Sequence, residues 1–322
     1  MLLPAVLSDR LERELRRFPA GAAQATVERL IAQYRSGSAP DHLIIGGEVE
    51  AAVYAAYRMS ATYAAASAAM AATAAAQPGL APTRLVDVGG GTGAALWAAA
   101  RIWPSLSSAE VVDGAEPALR LGRDLAEAAD AAVVRTAEWR ATQLPGELTS
   151  GPDDLVTVSY VLGELGAAEQ SDLVDRVSQA GTVVLIEPGT PAGYTRLMSA
   201  RALLLEAGLR IVAPCPVQSP CPLGSGDWCH FSTRVVRSAL HRRLKGADLG
   251  HEDEKYSYVA ATRLPPEIPP VSRVIRHPAQ RKGLVTLRLC TPDGLETRLV
   301  SKSQGETYRR ARRTGWGDSF PS

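Results

Sequence analysis

Four thiols carry the clearest chemistry in this sequence. The only cysteines among its 322 residues are Cys215, Cys221, Cys229 and Cys290. Three share one loop, as Ala213-Pro214-Cys215-Pro216, Ser219-Pro220-Cys221-Pro222 and Asp227-Trp228-Cys229-His230-Phe231. A reducing compartment seldom commits every thiol to disulfides, so four thiolates point to tetrahedral zinc or to an iron–sulfur cluster. Structural zinc usually takes close pairs spaced C-x2-4-C, whereas C-x5-C-x7-C is open enough for the separated corners of a cube. Spacing alone leaves cluster, zinc and unrelated buried cysteines all open. Prolines beside Cys215 and Cys221 stiffen the loop and remove amide donors, which would fix where the sulfurs point. His230 and His251 read better as packing or hydrogen-bonding residues than as ligands, and Trp228 and Phe231 as shields between sulfur and water.

A second centre lies in Leu85-Val86-Asp87-Val88-Gly89-Gly90-Gly91-Thr92-Gly93, where an acidic residue inside a strand is followed by glycines at alternating positions. Such glycines let the backbone approach a ligand at a helix N-terminus. The dinucleotide pattern G-x-G-x-x-G fails, because Leu96 stands where its third small residue belongs. The form D-x-G-x-G-x-G instead resembles motif I of class I methyltransferases, whose loop wraps the methionine part of S-adenosylmethionine. Asp113, twenty residues beyond the loop, ends a second strand with a carboxylate able to accept both ribose hydroxyls. The predicted cofactor set is Asp87, Gly89, Gly91, Gly93, Asp113 and Ser159. Gly90, where methyltransferases often carry a small polar residue, implies a looser loop.

The segment Ser159-Tyr160-Val161-Leu162-Gly163-Glu164 lacks the Asn-Pro-Pro-Tyr of amino methyltransferases, and the cysteine pair of RNA cytosine C5 methyltransferases is missing. Methyl transfer to an already nucleophilic atom needs mostly positioning, so no catalytic residue is assigned. The C-x3-C-x2-C of radical S-adenosylmethionine enzymes is also absent.

The elements that position these residues follow from periodicity. Helices are expected over 8–35 and Glu48–Ala76, where Ala fills 15 of the 26 positions from 51 to 76. From Thr83 short apolar runs alternate with helical stretches, as in a parallel sheet. Strands are predicted at Leu85–Val88, Glu110–Val112, Ala131–Val134, Asp154–Ser159 and Thr182–Ile186, and helices at 94–102, 116–129, 168–179 and 193–207. A basic helix is expected at Ser232–Leu244, a strand at Tyr256–Thr262, and a hairpin turning at Pro292-Asp293-Gly294. The last fifteen residues read as loosely held. The fold class is α/β: a Rossmann-like class I methyltransferase domain with a helical N-terminal region, a Cys-rich insertion and a small β-rich extension. The division is 1–80 helical, 81–212 plus 255–264 Rossmann-like, 213–254 cysteine loop and basic helix, and 265–322 basic β-rich extension.

Charge is distributed unevenly. Up to Cys229 there are 17 Arg and no Lys against 25 Asp plus Glu, net −8; from His230 onward 18 Lys plus Arg face 9 Asp plus Glu, net +9. An Arg-rich basic half suits a polyanion, with RNA the natural partner and a solvated basic face the alternative. No stretch is apolar enough to span a membrane, and Met1 to Leu7 lacks a basic n-region and a long h-region, so the expected location is cytoplasmic.

Together these segments resemble the mitochondrial small-ribosomal-subunit assembly family of methyltransferase-like proteins and their bacterial relatives. The matching segments are Tyr57-Arg58-Met59-Ser60-Ala61-Thr62-Tyr63, the Gly89 loop, Ser159 to Leu165, Ile186-Glu187-Pro188-Gly189-Thr190-Pro191, the cysteine loop, Glu252 to Tyr258, Cys290 and Trp316-Gly317-Asp318. The resemblance implies a [4Fe-4S] cluster on Cys215, Cys221, Cys229 and Cys290, S-adenosylmethionine as second cofactor, and association with small-subunit rRNA or a ribosomal subunit precursor. The function expected is an rRNA-directed methyltransferase-like protein. Its rivals are a non-catalytic rRNA-binding assembly factor and a small-molecule methyltransferase with a four-cysteine zinc site.

Overall fold

The computed structural model describes residues 2–19, 21, 25–27, 29, 45–224, 226–237, 242, 249–268 and 271–321. Short Val- and Leu-rich runs form five parallel strands: β1 (Arg84–Val88), β2 (Ser108–Asp113), β3 (Glu138–Ala141), β4 (Asp154–Ser159) and β5 (Thr182–Pro188). Their order is β3-β2-β1-β4-β5. Beyond β5, β6 (Arg210–Ala213) and β7 (Phe231–Val236) both pair with β8 (His251–Thr262), which runs antiparallel to β5. Leu85–Val88 and Leu155–Ser159 are buried throughout, as in a sheet covered on both faces.

Strand alternation divides the core in two. Leu85, Val111, Leu155, Val184 and Ile186 pack under α1 (Ala5–Leu15), α2 (Glu48–Ala76), α3 (Ala94–Ile102), α4 (Glu116–Ala126) and α5 (Ala132–Arg135). Val86, Val156, Val158, Val183 and Leu185 face α6 (Ala167–Val177) and α7 (Pro191–Glu206). The alanines of α2 are largely buried, and their small side chains let this helix of about 43 Å lie close to its neighbours. At its far end the Gln77 amide donates to Pro265 O at 2.8 Å and to Glu267 Oε1 at 2.7 Å. No described helix is long and apolar enough to cross a membrane.

A second sheet, built from β9 (Ser272–Val274), β10 (Ala279–Arg281), β11 (Leu284–Thr291), β12 (Gly294–Ser301) and β13 (Ser319–Phe320), carries α8 (Glu306–Arg313). Its core is Val274, the alternating Val285, Leu287 and Leu289 of β11, Val300, Ala311 and Phe320.

The structure corrects several sequence expectations. Val133 and Val134 belong to the short helix α5, and the third strand is Glu138–Ala141, at the sheet edge, where only the middle residues are partly covered. Residues 232–236 form β7 rather than the start of a basic helix, because the strand pairs with β8 while Phe231 buries in the main core and Val235 against Ala61 and Ala64 of α2. Most of 237–244 lies outside the described residues, as does most of 20–44. The first helix ends at Leu15. The final residues are held: Ala311 is fully buried, Phe320 is 1% exposed, and Ser319–Phe320 pairs with Ser272–Arg273.

Candidate functional site

The loop between β1 and α3 opens a cleft of about 1250 Å³, its mouth included. All six predicted cofactor residues except Gly93 line it, and Gly93 caps α3 instead with a left-handed φ of 81°. Gly89 has φ 65°, and a Cβ there would lie 2.1 Å from Val161 Cγ2. Gly90 is not a source of looseness. A Cβ at that position would stand 2.6 Å from both Asp87 Oδ2 and Val111 Cγ1, so only glycine lets the loop close over the acid.

Asp113 already serves the protein: Gly91 N donates to its Oδ2 at 2.9 Å and Ala115 N to its Oδ1 at 2.7 Å. Those bonds fix the carboxylate's orientation in the cleft wall. Asp87 is fully buried; Thr157 Oγ1 donates to its Oδ1 at 2.7 Å, while Oδ2 and the buried Ser159 Oγ have no partner among the described residues. Both unpartnered atoms belong to residues of the cleft wall.

Burial pushes the Asp87 carboxyl up to about 7 from 3.8. The fold therefore prefers the protonated acid, and this contribution to stability is complete below pH 3.8 and lost as pH rises through 7. Asp87→Asn, neutral at every pH, should gain on the unmodified chain between about pH 4 and 8 by at most about 4 kcal/mol. Thermal melts of the two proteins across that range measure the gap, and a gap independent of pH contradicts the assignment.

Sequence reasoning missed much of the wall. Tyr54, Met59 and Thr62 reach in from α2, Gln143 from a loop and Glu164 from the 3-10 turn Leu162–Glu164. Glu164 is open to solvent through the mouth yet surrounded by protein, and burial first, then Asp113 and Glu187, push it up to about 7. Tyr160 follows β4 with φ 63°, a left-handed conformation that costs a non-glycine residue about 1–3 kcal/mol. It is held there by Glu254 of β8, whose Oε1 accepts from Tyr160 Oη at 2.9 Å and from Arg58 Nη2 at 2.8 Å, with Arg58 Nη1 at 3.3 Å from Oε2. The Arg58 guanidinium also lies 5.3 Å from the centre of the Tyr160 ring. Three segments distant in the chain thus meet at one ion pair.

The second centre forms where α7, the cysteine loop and the small sheet meet. Cys215, Cys221, Cys229 and Cys290 all line one cavity, walled by apolar side chains including Leu197, Met198, Phe231 and Ile275. Gln218 anchors the loop by exchanging two hydrogen bonds of 2.8 Å with the backbone of Ile211, and Ser257 Oγ donates to Cys229 O at 2.8 Å. Burial, then the neighbouring cysteines, push the Cys229 thiol well above its ordinary value and Cys290 up to about 12. Among the described residues, no three His, Cys, Asp or Glu side chains gather as ligands of a single ion would.

Phe231 shields the cavity as expected, but Trp228 does not line it. Trp228 Nε1 donates to Gly189 O at 3.0 Å, and its ring stacks on His230 with centroids 5.3 Å apart. His230 also meets Trp316 edge-on at 4.7 Å, a packing role, and His251 sits opposite Val236 in the β7–β8 pairing. Neither histidine is in the cavity wall.

The strand order, the antiparallel strand beyond β5 and the glycine loop with its following acid define a class I, Rossmann-like methyltransferase fold. Residues 48–321 match the model of the family described as mitochondrial small ribosomal subunit Rsm22, and the chain belongs to that family. It is 31% identical over 294 residues to the human ribosome assembly protein METTL17, mitochondrial, covering 84% of this chain and 62% of that one. It is 27% identical over 187 residues to the Rsm22-cox11 tandem protein 2, mitochondrial, of Schizosaccharomyces pombe, covering 45% of this chain and 25% of that one. The chain thus spans less than two thirds of either relative. Among solved structures, magnesium protoporphyrin IX methyltransferase of Synechocystis with bound S-adenosylmethionine is similar over 73% of this chain and 91% of its own, at 12% identity and a TM-score of 0.41.

Proposed function

We propose that this protein is an S-adenosylmethionine-binding, methyltransferase-like assembly factor of the small ribosomal subunit. In this reading a structural [4Fe-4S] cluster on Cys215, Cys221, Cys229 and Cys290 holds the basic C-terminal module beside the cofactor cleft. The observation that carries the reading is the convergence of four thiols, from a loop and from a strand of a separate sheet, on one apolar cavity. Four thiols lining one cavity could hold a cluster or zinc, and the open C-x5-C-x7-C spacing suits the separated corners of a cluster better than the close pairs of structural zinc.

The cleft suits the nucleoside cofactor. Asp113 offers its carboxylate to the ribose, Asp87 Oδ2 and Ser159 Oγ are polar atoms in need of partners, and Gly89 to Gly91 bring backbone close. S-adenosylmethionine supplies an electrophilic methyl group when bound, and this chain's residues bind and orient it. The basic C-terminal half, with Arg309, Arg310, Arg312 and Arg313 on α8, suits the phosphates of small-subunit rRNA. A purely non-catalytic assembly factor is the second reading, favoured by Tyr160: its hydroxyl, at the end of β4, is committed to Glu254.

Binding of labelled S-adenosylmethionine, followed by transfer to rRNA from a deletion strain, tests the proposal. Asp113→Ala should weaken cofactor binding at least tenfold while leaving iron content unchanged, as measured by equilibrium dialysis and metal analysis. Undiminished binding removes Asp113 from the site. Tight cofactor binding without transfer selects the non-catalytic reading, and RNA affinity insensitive to salt overturns the basic-module assignment.

A further inference from the structure

Arg201 occupies a core position. On α7 the neighbouring buried residues are Leu197, Ala200 and Leu204, and Arg201 itself is 3% exposed. Its Nη2 donates to Val217 O at 2.7 Å and Ser219 O at 2.9 Å, both in the cysteine loop. Its buried Nε–H completes no hydrogen bond among the described residues, and no described carboxylate pairs with it. Those two carbonyls lie between Cys215 and Cys221 in the chain, so the guanidinium braces the segment that carries both thiols.

Arg273 approaches from the other side. It stands opposite Cys290 in the β9–β11 pairing, lines the cysteine cavity, and donates to Pro214 O at 3.2 Å and Gly317 O at 2.9 Å, again with no described carboxylate partner. The third nearby guanidinium, Arg276, is already neutralised by Asp227. A buried cation without an anion is costly, as for Arg201, and the partly buried Arg273 shares the cavity wall with all four cysteines.

We propose that Arg201 and Arg273 are the counter-charges of the cysteine-held centre, positioning residues that stabilise its thiolates and set its reduction potential. The proposal rests on the cluster reading given above. Four thiolates bring four negative charges and an oxidised [4Fe-4S] core returns two positive ones, so two guanidinium groups balance the whole. Adding an electron raises the negative charge, and the same two cations then favour the reduced state. A merely structural Arg201, tying α7 to two loop carbonyls, would leave the potential unmoved.

The test is a mediated redox titration, monitored by electron paramagnetic resonance, of anaerobically purified full-length protein, alongside Arg201→Gln, Arg201→Lys and Arg273→Gln. Each Gln variant should lower the reduced-to-oxidised ratio at fixed ambient potential about tenfold and speed iron loss to a chelator, whereas Arg201→Lys should retain most of the ratio. Arg273 is only partly buried, so Arg273→Gln carries the test if Arg201→Gln is insoluble. Ratios within twofold of the unmodified protein in every soluble variant overturn the proposal. If the unmodified protein carries zinc, the cluster reading fails. The counter-charge proposal is then decided by zinc affinity, because zinc on four thiolates has the same net charge: a tenfold loss in the Gln variants supports it and unchanged affinity overturns it.

Discussion

Cys290→Ala is expected to strip the protein of iron and release its C-terminal module. Cys290 is the one cysteine on the small sheet, while the other three stand in the loop that follows β6, at least 61 residues earlier (290 − 229). A centre bridging them closes a long loop and carries metal-binding energy of the order of 10 kcal/mol into the fold. Remove the fourth thiolate and that link is lost, leaving interactions such as Arg273 on Pro214 and Arg276 on Trp228 O to hold the module. Iron per chain should fall at least tenfold, and limited proteolysis should cut near residues 265–270 many times faster. Full iron content with unchanged protease resistance would remove Cys290 from the ligand set.

Glu254→Ala should cost about 3 kcal/mol and lower Tm by roughly 5 °C. The carboxylate answers both Arg58 and Tyr160, so its removal leaves a largely covered guanidinium and a half-buried phenol unpaired. The low end for a buried pair applies, because the Arg58 side chain keeps 22% exposure. Cofactor affinity should fall as well, since Glu254 helps hold Tyr160 in its left-handed conformation at the cleft wall. The paired change Arg58→Met with Glu254→Met should recover most of the stability, because it removes the charge together with its partner. A thermal melt of Glu254→Ala within about 1 °C of the unmodified chain contradicts this role.

These two residues also show what a sequence does and does not disclose. The glycine loop and Asp113 were legible because strand, turn, helix and acid follow one another within one local unit, where spacing maps directly onto geometry. The cysteines were legible as a set, though only the packing of the small sheet against the loop brings Cys290 to the other three. Glu254, inside the run Glu252-Asp253-Glu254-Lys255, reads as a solvated charge until Arg58, 196 residues away, is placed beside it. Met59 and Thr62 carry no local sign of a binding role, because a helix facing a cleft has the same apolar spacing as one facing a core.

The secondary-structure misreadings have similar causes. Val133-Val134 is too short a run for periodicity to separate helix from strand, and β3 is a four-residue edge element with little apolar content. Arg234 and Arg237 masked β7 because their charges pair across the hairpin with Asp253 and Glu252 rather than forming one basic helical face. The arginines of α8 likewise suggested a loose tail, yet Ala311 and Phe320 pin that segment to the small sheet.

At the centre of this reading, four separated thiols hold one inorganic group. Iron and acid-labile sulfide, measured per chain on anaerobically purified protein, test it most directly. Equal amounts are expected, roughly four of each, with broad absorbance near about 400 nm. A colourless protein holding a single zinc, or no metal at all, would contradict it.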